Sequence, residues 1–346
     1  MTNSRMTQKI CWCIFLLTVA VLFPAGLSAQ EQQSASYETG FYYTVQKGDT
    51  LWDISQKFFD DPELWPDLWE KNAQLKNPHH YIYPGDVLHI YTRAGKAYIE
   101  KAVPAETPPP VKPASAEPPY FLYNAMEQVG FIRNPPVSPS GVIFKTEEDK
   151  GIISYGDTVY IRLEAAATMP VGTLFTVFRT LKTVKDPDDK KSVLGTQHYL
   201  TGIVEVTRQE EGYVLATVLR NFRAIEVNDQ VMPYEAPSTK IYLNDTPASV
   251  SGTILLSEEG ASLIGEYAIA FINKGERDGV ALGQRYRVYN QEKVKLSPKD
   301  KNAAMLPPVD VGNVIVLRTE QNTATVLVIG SNAAFSPGTR FRPVPN

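Results

Sequence analysis

From Tyr120 onward the chain repeats itself. Gly141-Val142-Ile143 is answered by Gly252-Thr253-Ile254, and Val171-Gly172-Thr173 by Leu282-Gly283-Gln284. Gly202-Ile203-Val204 returns as Gly312-Asn313-Val314, and Asn228 to Pro233 as Gly338 to Pro343, all at offsets of 110 or 111 residues. A period that long is too great for a solenoid of small units and implies two similar modules in tandem. Period-two alternation in Val159-Tyr160-Ile161-Arg162-Leu163, Tyr213 to Val218 and Arg285-Tyr286-Arg287-Val288-Tyr289 marks strands bounded by turn residues. No comparable stretch carries a sustained helical period. Residues 120–236 and 237–346 are therefore expected to be two all-β modules, barrel-like or sandwich, with glycines where strands enter tight turns.

At 346 residues the chain exceeds a usual single domain. Arg5 and Lys9 precede an apolar run from Ile10 to Phe23, and small residues up to Ala29 precede the polar Gln30. Fourteen apolar residues are too few to span a bilayer comfortably, so residues 1–29 are read as a secretory signal peptide and the protein as exported, to the periplasm or cell wall. Both cysteines, Cys11 and Cys13, lie inside that run. The mature chain would hold no thiol, no disulfide and no lipid-accepting cysteine. Its charge would move from −4 to −6, with 32 basic against 38 acidic residues, which argues against nucleic acid as a partner.

After a polar lead (residues 30–40) comes a short unit, residues 41–92. Tyr43 and Val45 alternate as a strand, Gly48-Asp49 supplies a turn, and Thr50-Leu51-Trp52-Asp53 fits a capping box. Leu51, Ile54 and Phe58 fall on one helical face. A second helix is expected from Trp65 to Ala73, started by Trp65-Pro66-Asp67 in preference to Asp61-Pro62. Val87, Leu88 and Ile90 close the unit after the Tyr83-Pro84-Gly85-Asp86 turn. So small a unit needs large core side chains, and Trp52, Trp65, Trp69, Phe58 and Phe59 are read as core. Residues 93–119 follow, seven of 27 being proline, and are expected to hold two folded parts apart as an extended linker.

Tyr43-Thr44-Val45-Gln46-Lys47-Gly48-Asp49-Thr50-Leu51-Trp52, answered by Ile82-Tyr83-Pro84-Gly85-Asp86-Val87-Leu88, resembles a LysM (lysin motif) domain. The resemblance implies a small βααβ fold (α+β) whose two loops bind N-acetylglucosamine-containing glycan, mainly peptidoglycan or chitin. Carried over by motif, the groove is Gly48, Asp49, Thr50 and Leu51 on one side, with Asn77, Pro78, Ile82, Tyr83, Pro84 and Gly85 on the other. Asp49 and Thr50 have turn and capping roles as well, which leaves Leu51, Ile82 and Tyr83 as the cleaner binding probes. The second loop, Asn77-Pro78-His79-His80-Tyr81-Ile82, is one residue longer than the family pattern. With Asp61 to Trp69 and Lys76 to His79, the motif is similar to that of type IV pilus secretin-associated LysM proteins. These join a LysM unit to a β-rich region like the last domain of a flagellar ring-assembly protein, which implies an outer-membrane secretin as partner.

No catalytic constellation is legible. A cysteine nucleophile is absent from the mature chain, and only His198 lies outside the residues 41–92 that hold His79, His80 and His89. Adjacent loop histidines usually face solvent, so no metal site, and no cofactor, is assigned. Glu147-Glu148, Glu210-Glu211 and Glu258-Glu259 sit beside turn residues and read as solvated charge. The expectation is a non-catalytic adaptor anchoring an envelope complex to peptidoglycan. The alternative is a cell-wall hydrolase with a carboxylate pair in the β modules.

Overall fold

The computed structural model describes residues 39–59, 61–65, 82–93, 96–101, 117–147, 151–164, 167–295 and 303–344. The expected signal peptide, most of the polar lead, Asn77, Pro78 and all but the first residue of the expected second helix lie outside them. Strand β1 (Gly40–Thr44) buries Phe41 and Tyr43, and helix α1 (Leu51–Phe59) buries Leu51, Ile54, Ser55 and Phe58. The spacing of these four is that of a single helical face. Thr50 accepts from Asp53 N (3.1 Å) while Asp53 accepts from Thr50 N (3.2 Å), so the capping box forms. A 3-10 turn, Pro62–Leu64, starts at Asp61, whose carboxylate accepts from Glu63 N. That turn runs up to Trp65, which is helical, and the rest of the expected second helix lies outside the described residues.

Strand β2 (Val87–Arg93) pairs antiparallel with β1 and with β3 (Lys96–Lys101). Next come β4 (Tyr120–Leu122) and β5 (Phe131–Arg133). The first barrel is built from β6 (Gly141–Thr146), β7 (Thr158–Leu163), β8 (Leu174–Lys185), β9 (Val193–Gln209), β10 (Tyr213–Asn221) and β11 (Gln230–Pro233). Strand β12 (Lys240–Tyr242) leads to β13 (Gly252–Ser257), β14 (Ile269–Ile272) and β15 (Arg285–Asn290). A small hairpin of β16 (Lys293–Val294) and β17 (Ala304–Met305) precedes β18 (Val309–Thr319), β19 (Ala324–Ser331) and β20 (Arg340–Pro343).

The two modules have one topology. In the first, β6-β7-β10-β9-β8-β11 close into a ring because β11 returns to β6, with β5 added to the edge of β9. In the second, β13-β14-β19-β18-β15-β20 form a closed barrel in the equivalent order. Register agrees as well. Leu174 opens β8 opposite Glu205, and Arg285 opens β15 opposite Ile315. The isolated bridge Ile153 to Ile225 recurs as Ile264 to Phe335, and Gly172 (φ +81°) as Gly283 (φ +77°).

The linker expectation is corrected. Residues 96–101 form β3, whose Ile99 is buried, and β1 pairs with β4, which pairs with β12. The LysM-like unit is thus the middle of a five-stranded sheet, β12-β4-β1-β2-β3, to which strands leading into each barrel contribute. The prolines that suggested separation begin only at Pro104, and residues 102–116 lie outside the described ones. A single apolar core joins Phe41, Ile54, Phe58, Leu88, Ile90 and Phe121 to Ile315, Leu317, Leu327 and Ile329 on the outer face of the second barrel. At those four places the first barrel carries Glu205, Thr207, Thr217 and Leu219, too polar a face to bury in the same way. Thr92 adds a polar tie, donating to Ile329 O at 2.8 Å.

The barrels meet through β5 and Glu258. Thr323 and Thr325 donate to Ile132 O and Gly130 O, and Arg133 makes a two-pronged pair with Glu320, 2.8 Å in each arm. Glu258, read from sequence as solvated charge, is 3% exposed. It accepts from Gly130 N at 2.6 Å and from Arg223 at 3.0 Å. It lies just beyond β13 facing the first barrel, where Arg223 and an amide replace water. Burial pushes its carboxyl up to about 7, with Glu259 adding to that and Arg223 and the Gly130 amide opposing it.

Candidate glycan-binding site

The two expected loops stand side by side. Val45 leaves β1 and ties both, donating to Asp86 O at 2.8 Å and accepting from Gly85 N at 2.9 Å. The second loop folds on itself, with Asp86 N to Tyr83 O at 2.9 Å and Tyr83 N to Asp86 Oδ2 at 3.2 Å. Gly48 and Gly85 sit at φ +100° and +94° with open space where a Cβ would be. A side chain there would meet no neighbour, so glycine is required by backbone conformation alone.

Asp49 organises the first loop. Its carboxylate accepts from Tyr43 OH at 2.6 Å and Gln46 N at 2.7 Å. Burial, then the bond to Asp49, raises the Tyr43 phenol well above its ordinary value, so Tyr43 remains a donor. Asp49 is therefore a turn-holding group with its oxygen already engaged. Thr50 is similarly occupied as the cap of α1.

Leu51 and Tyr83 separate sharply. Leu51, expected as a clean apolar contact for sugar, is 7% exposed and lies in the core with Ile54 and Phe58. Tyr83 is 57% exposed, Pro84 and Gly85 are exposed, and Ile82 is half-buried. The loop of Gly48, Asp49 and Thr50 is thus tied to the loop of Ile82, Tyr83, Pro84 and Gly85 through Val45. Trp52, read as core, is 49% exposed. It follows Leu51 by one position and so leaves the buried stripe, a signal present in the helical spacing itself. Trp52 joins Tyr83 as a large exposed aromatic of this unit.

The histidines supply no metal centre among the described residues. His89 is buried in β2, stacked between Tyr42 (4.7 Å) and Tyr91 (4.8 Å). His198 stacks on Phe131 at 4.5 Å, its Nε2 accepts from Val137 N, and its Nδ1 faces Thr196 O. Burial lowers it to about 4, which makes it a neutral core residue at physiological pH.

Residues 43–90 match the family model for the LysM domain. A 57-residue stretch is 40% identical to the uncharacterized protein YqbP of Bacillus subtilis (strain 168), covering 14% of this chain and 26% of that protein. The chain thus spans about a quarter of the length of this curated relative. The paired loops, the capped helix and the start of the closing strand fall within the residues that the family model matches. Residues 43–90 of this chain are a LysM domain.

Proposed function

We propose that this protein is an exported, non-catalytic adaptor. Its LysM groove binds the N-acetylglucosamine-containing glycan of peptidoglycan, and its two barrels carry an envelope protein partner, with an outer-membrane secretin or pilus-associated complex the kind the architecture resembles. The observation that carries this reading is the LysM domain with its loops held together at Val45 and Tyr83 exposed on them. Support for the adaptor part comes from the sheet and core that the domain shares with the second barrel, a path by which load on the barrels passes to the glycan site. One small groove binds weakly, and several copies around an oligomeric partner gain residence through effective concentration.

The test is co-sedimentation of the mature protein with purified peptidoglycan, beside Tyr83→Ala, with the supernatant assayed for soluble muropeptides. Retention that the substitution weakens, with no fragments released, is the expected result. Release of muropeptides by the intact protein would instead make it a hydrolase. The place to seek its carboxylates would be the cleft of about 700 Å³ that Glu127 and Glu235 line, although Glu127 there already binds Tyr234 and Arg220.

A further inference from the structure

Where α1 ends against the second barrel, the seam encloses a cavity of about 260 Å³. One water occupies only ~30 Å³ in the liquid. Phe58, Phe59 and Ile329 give the cavity an apolar wall, and Arg285 and Asn313 line it from β15 and β18. The guanidinium of Arg285 donates to Lys57 O, in the last turn of α1, at 3.1 Å. It lies 5.7 Å from the Phe41 ring centre and 6.0 Å from that of Phe58. Among the described residues no carboxylate lies within ion-pair distance of it. Asp245, the one acid among the described residues that line the cavity, makes no ion pair with it.

This is an unusual way to keep an arginine. A guanidinium carries five N–H donors in a fork that fits a carboxylate, and the aromatic faces offset charge without accepting that fork. Burial pushes the Arg285 pKa down, as expected of a cation without a counter-ion. Lys57, which also lines the cavity, is lowered first by burial and further by Arg285, with Asp49 pulling the other way. The barrel itself does not require the charge: Leu174 occupies the equivalent position in the first barrel, opening its strand in the same register.

We propose that this seam cavity is a carboxylate-binding site, in which Arg285 grips the carboxylate end of a peptide stem of peptidoglycan while the LysM groove holds the glycan. The Asn313 carboxamide supplies a further polar contact, and the Phe58, Phe59 and Ile329 wall accepts the alkyl part of the terminal residue. The choice of stem among carboxylate bearers rests on the glycan-binding reading above, because a stem is covalently part of the polymer that the groove would concentrate beside the cavity.

The test is calorimetric titration of the intact protein with three probes: a chitooligosaccharide, which has no carboxylate, a muropeptide with free stem carboxylates, and the same muropeptide with those carboxylates amidated. The free acid is expected to bind about tenfold more tightly than the amide, as one charge-assisted fork would give. Arg285→Gln is expected to abolish that preference and leave chitooligosaccharide affinity unchanged, while Arg285→Lys keeps part of it. Equal binding of acid and amide by the wild type overturns the proposal without any variant, so misfolding of a variant cannot protect it. Chitooligosaccharide binding without acid preference sinks the cavity and leaves the groove standing. Acid preference without chitooligosaccharide binding does the reverse.

Discussion

Tyr267 occupies in the second barrel the left-handed backbone position that Gly156 holds in the first, at φ +62° against +86°. Glycine adopts that conformation freely, whereas a tyrosine there costs about 1–2 kcal/mol. The cost coincides with a contact that the first barrel does not make. The Tyr267 hydroxyl donates to Thr92 O at the end of β2, just past the LysM domain and beside the bond from Thr92 Oγ1 to Ile329 O. With Ile315, Leu317, Leu327 and Ile329, this tyrosine distinguishes the barrel face that carries the LysM domain from its polar counterpart.

Tyr267→Phe removes the hydroxyl and leaves the Thr92 carbonyl without that donor. A loss of about 1 kcal/mol is expected, read as faster amide exchange in β2 with the barrel cores unchanged. Tyr267→Gly loses the same contact and gains backbone relief, so it should be more stable than Tyr267→Ala. If alanine proved equal to glycine in thermal unfolding, the left-handed position would not be strained.

Leu51→Ala should cost about 2–5 kcal/mol, because the side chain is buried among Ile54 and Phe58. Weakened glycan retention by this variant would accompany a lowered unfolding midpoint. A variant with unchanged stability would show that Leu51 does not pack as described.

Glu258 should give the barrel interface a definite pH response. Its folded-state carboxyl is raised to about 7, so folding favours the protonated form. That contribution is full below the ordinary carboxylate range and is lost as pH rises through about 7, the sense required when the folded state binds more protons than the unfolded. Wild-type stability relative to Glu258→Gln should therefore fall by about 2–3 kcal/mol between pH 5 and 8. Denaturant unfolding across that range checks it, and a pH-independent difference would mean that Glu258 stays ionised in the fold.

Much of this architecture was legible because it is written in local or periodic signals. The Gly172 and Gly283 turns fixed the repeat, and the Thr50 to Asp53 capping box and the Tyr83 to Asp86 turn marked the LysM loops. What failed was long-range. Nothing local to Tyr120 to Leu122 or Lys240 to Tyr242 announces that they extend the sheet begun by β1, since strand pairing depends on partners far away in sequence. Glu258 misled for a related reason, as its compensating Arg223 is remote along the chain. Trp52 was misread through composition, although its place beside Leu51 already put it off the buried face.

The most direct measurement is titration of a chitooligosaccharide into the intact protein and into Tyr83→Ala, with unfolding midpoints recorded for both. Tyr83 is exposed on the second loop, so its loss should leave the midpoint unchanged while weakening binding by about tenfold, the equivalent of roughly 1.4 kcal/mol of lost aromatic contact. Equal affinity of the two proteins, or no binding by the wild type, would contradict a glycan site between these loops.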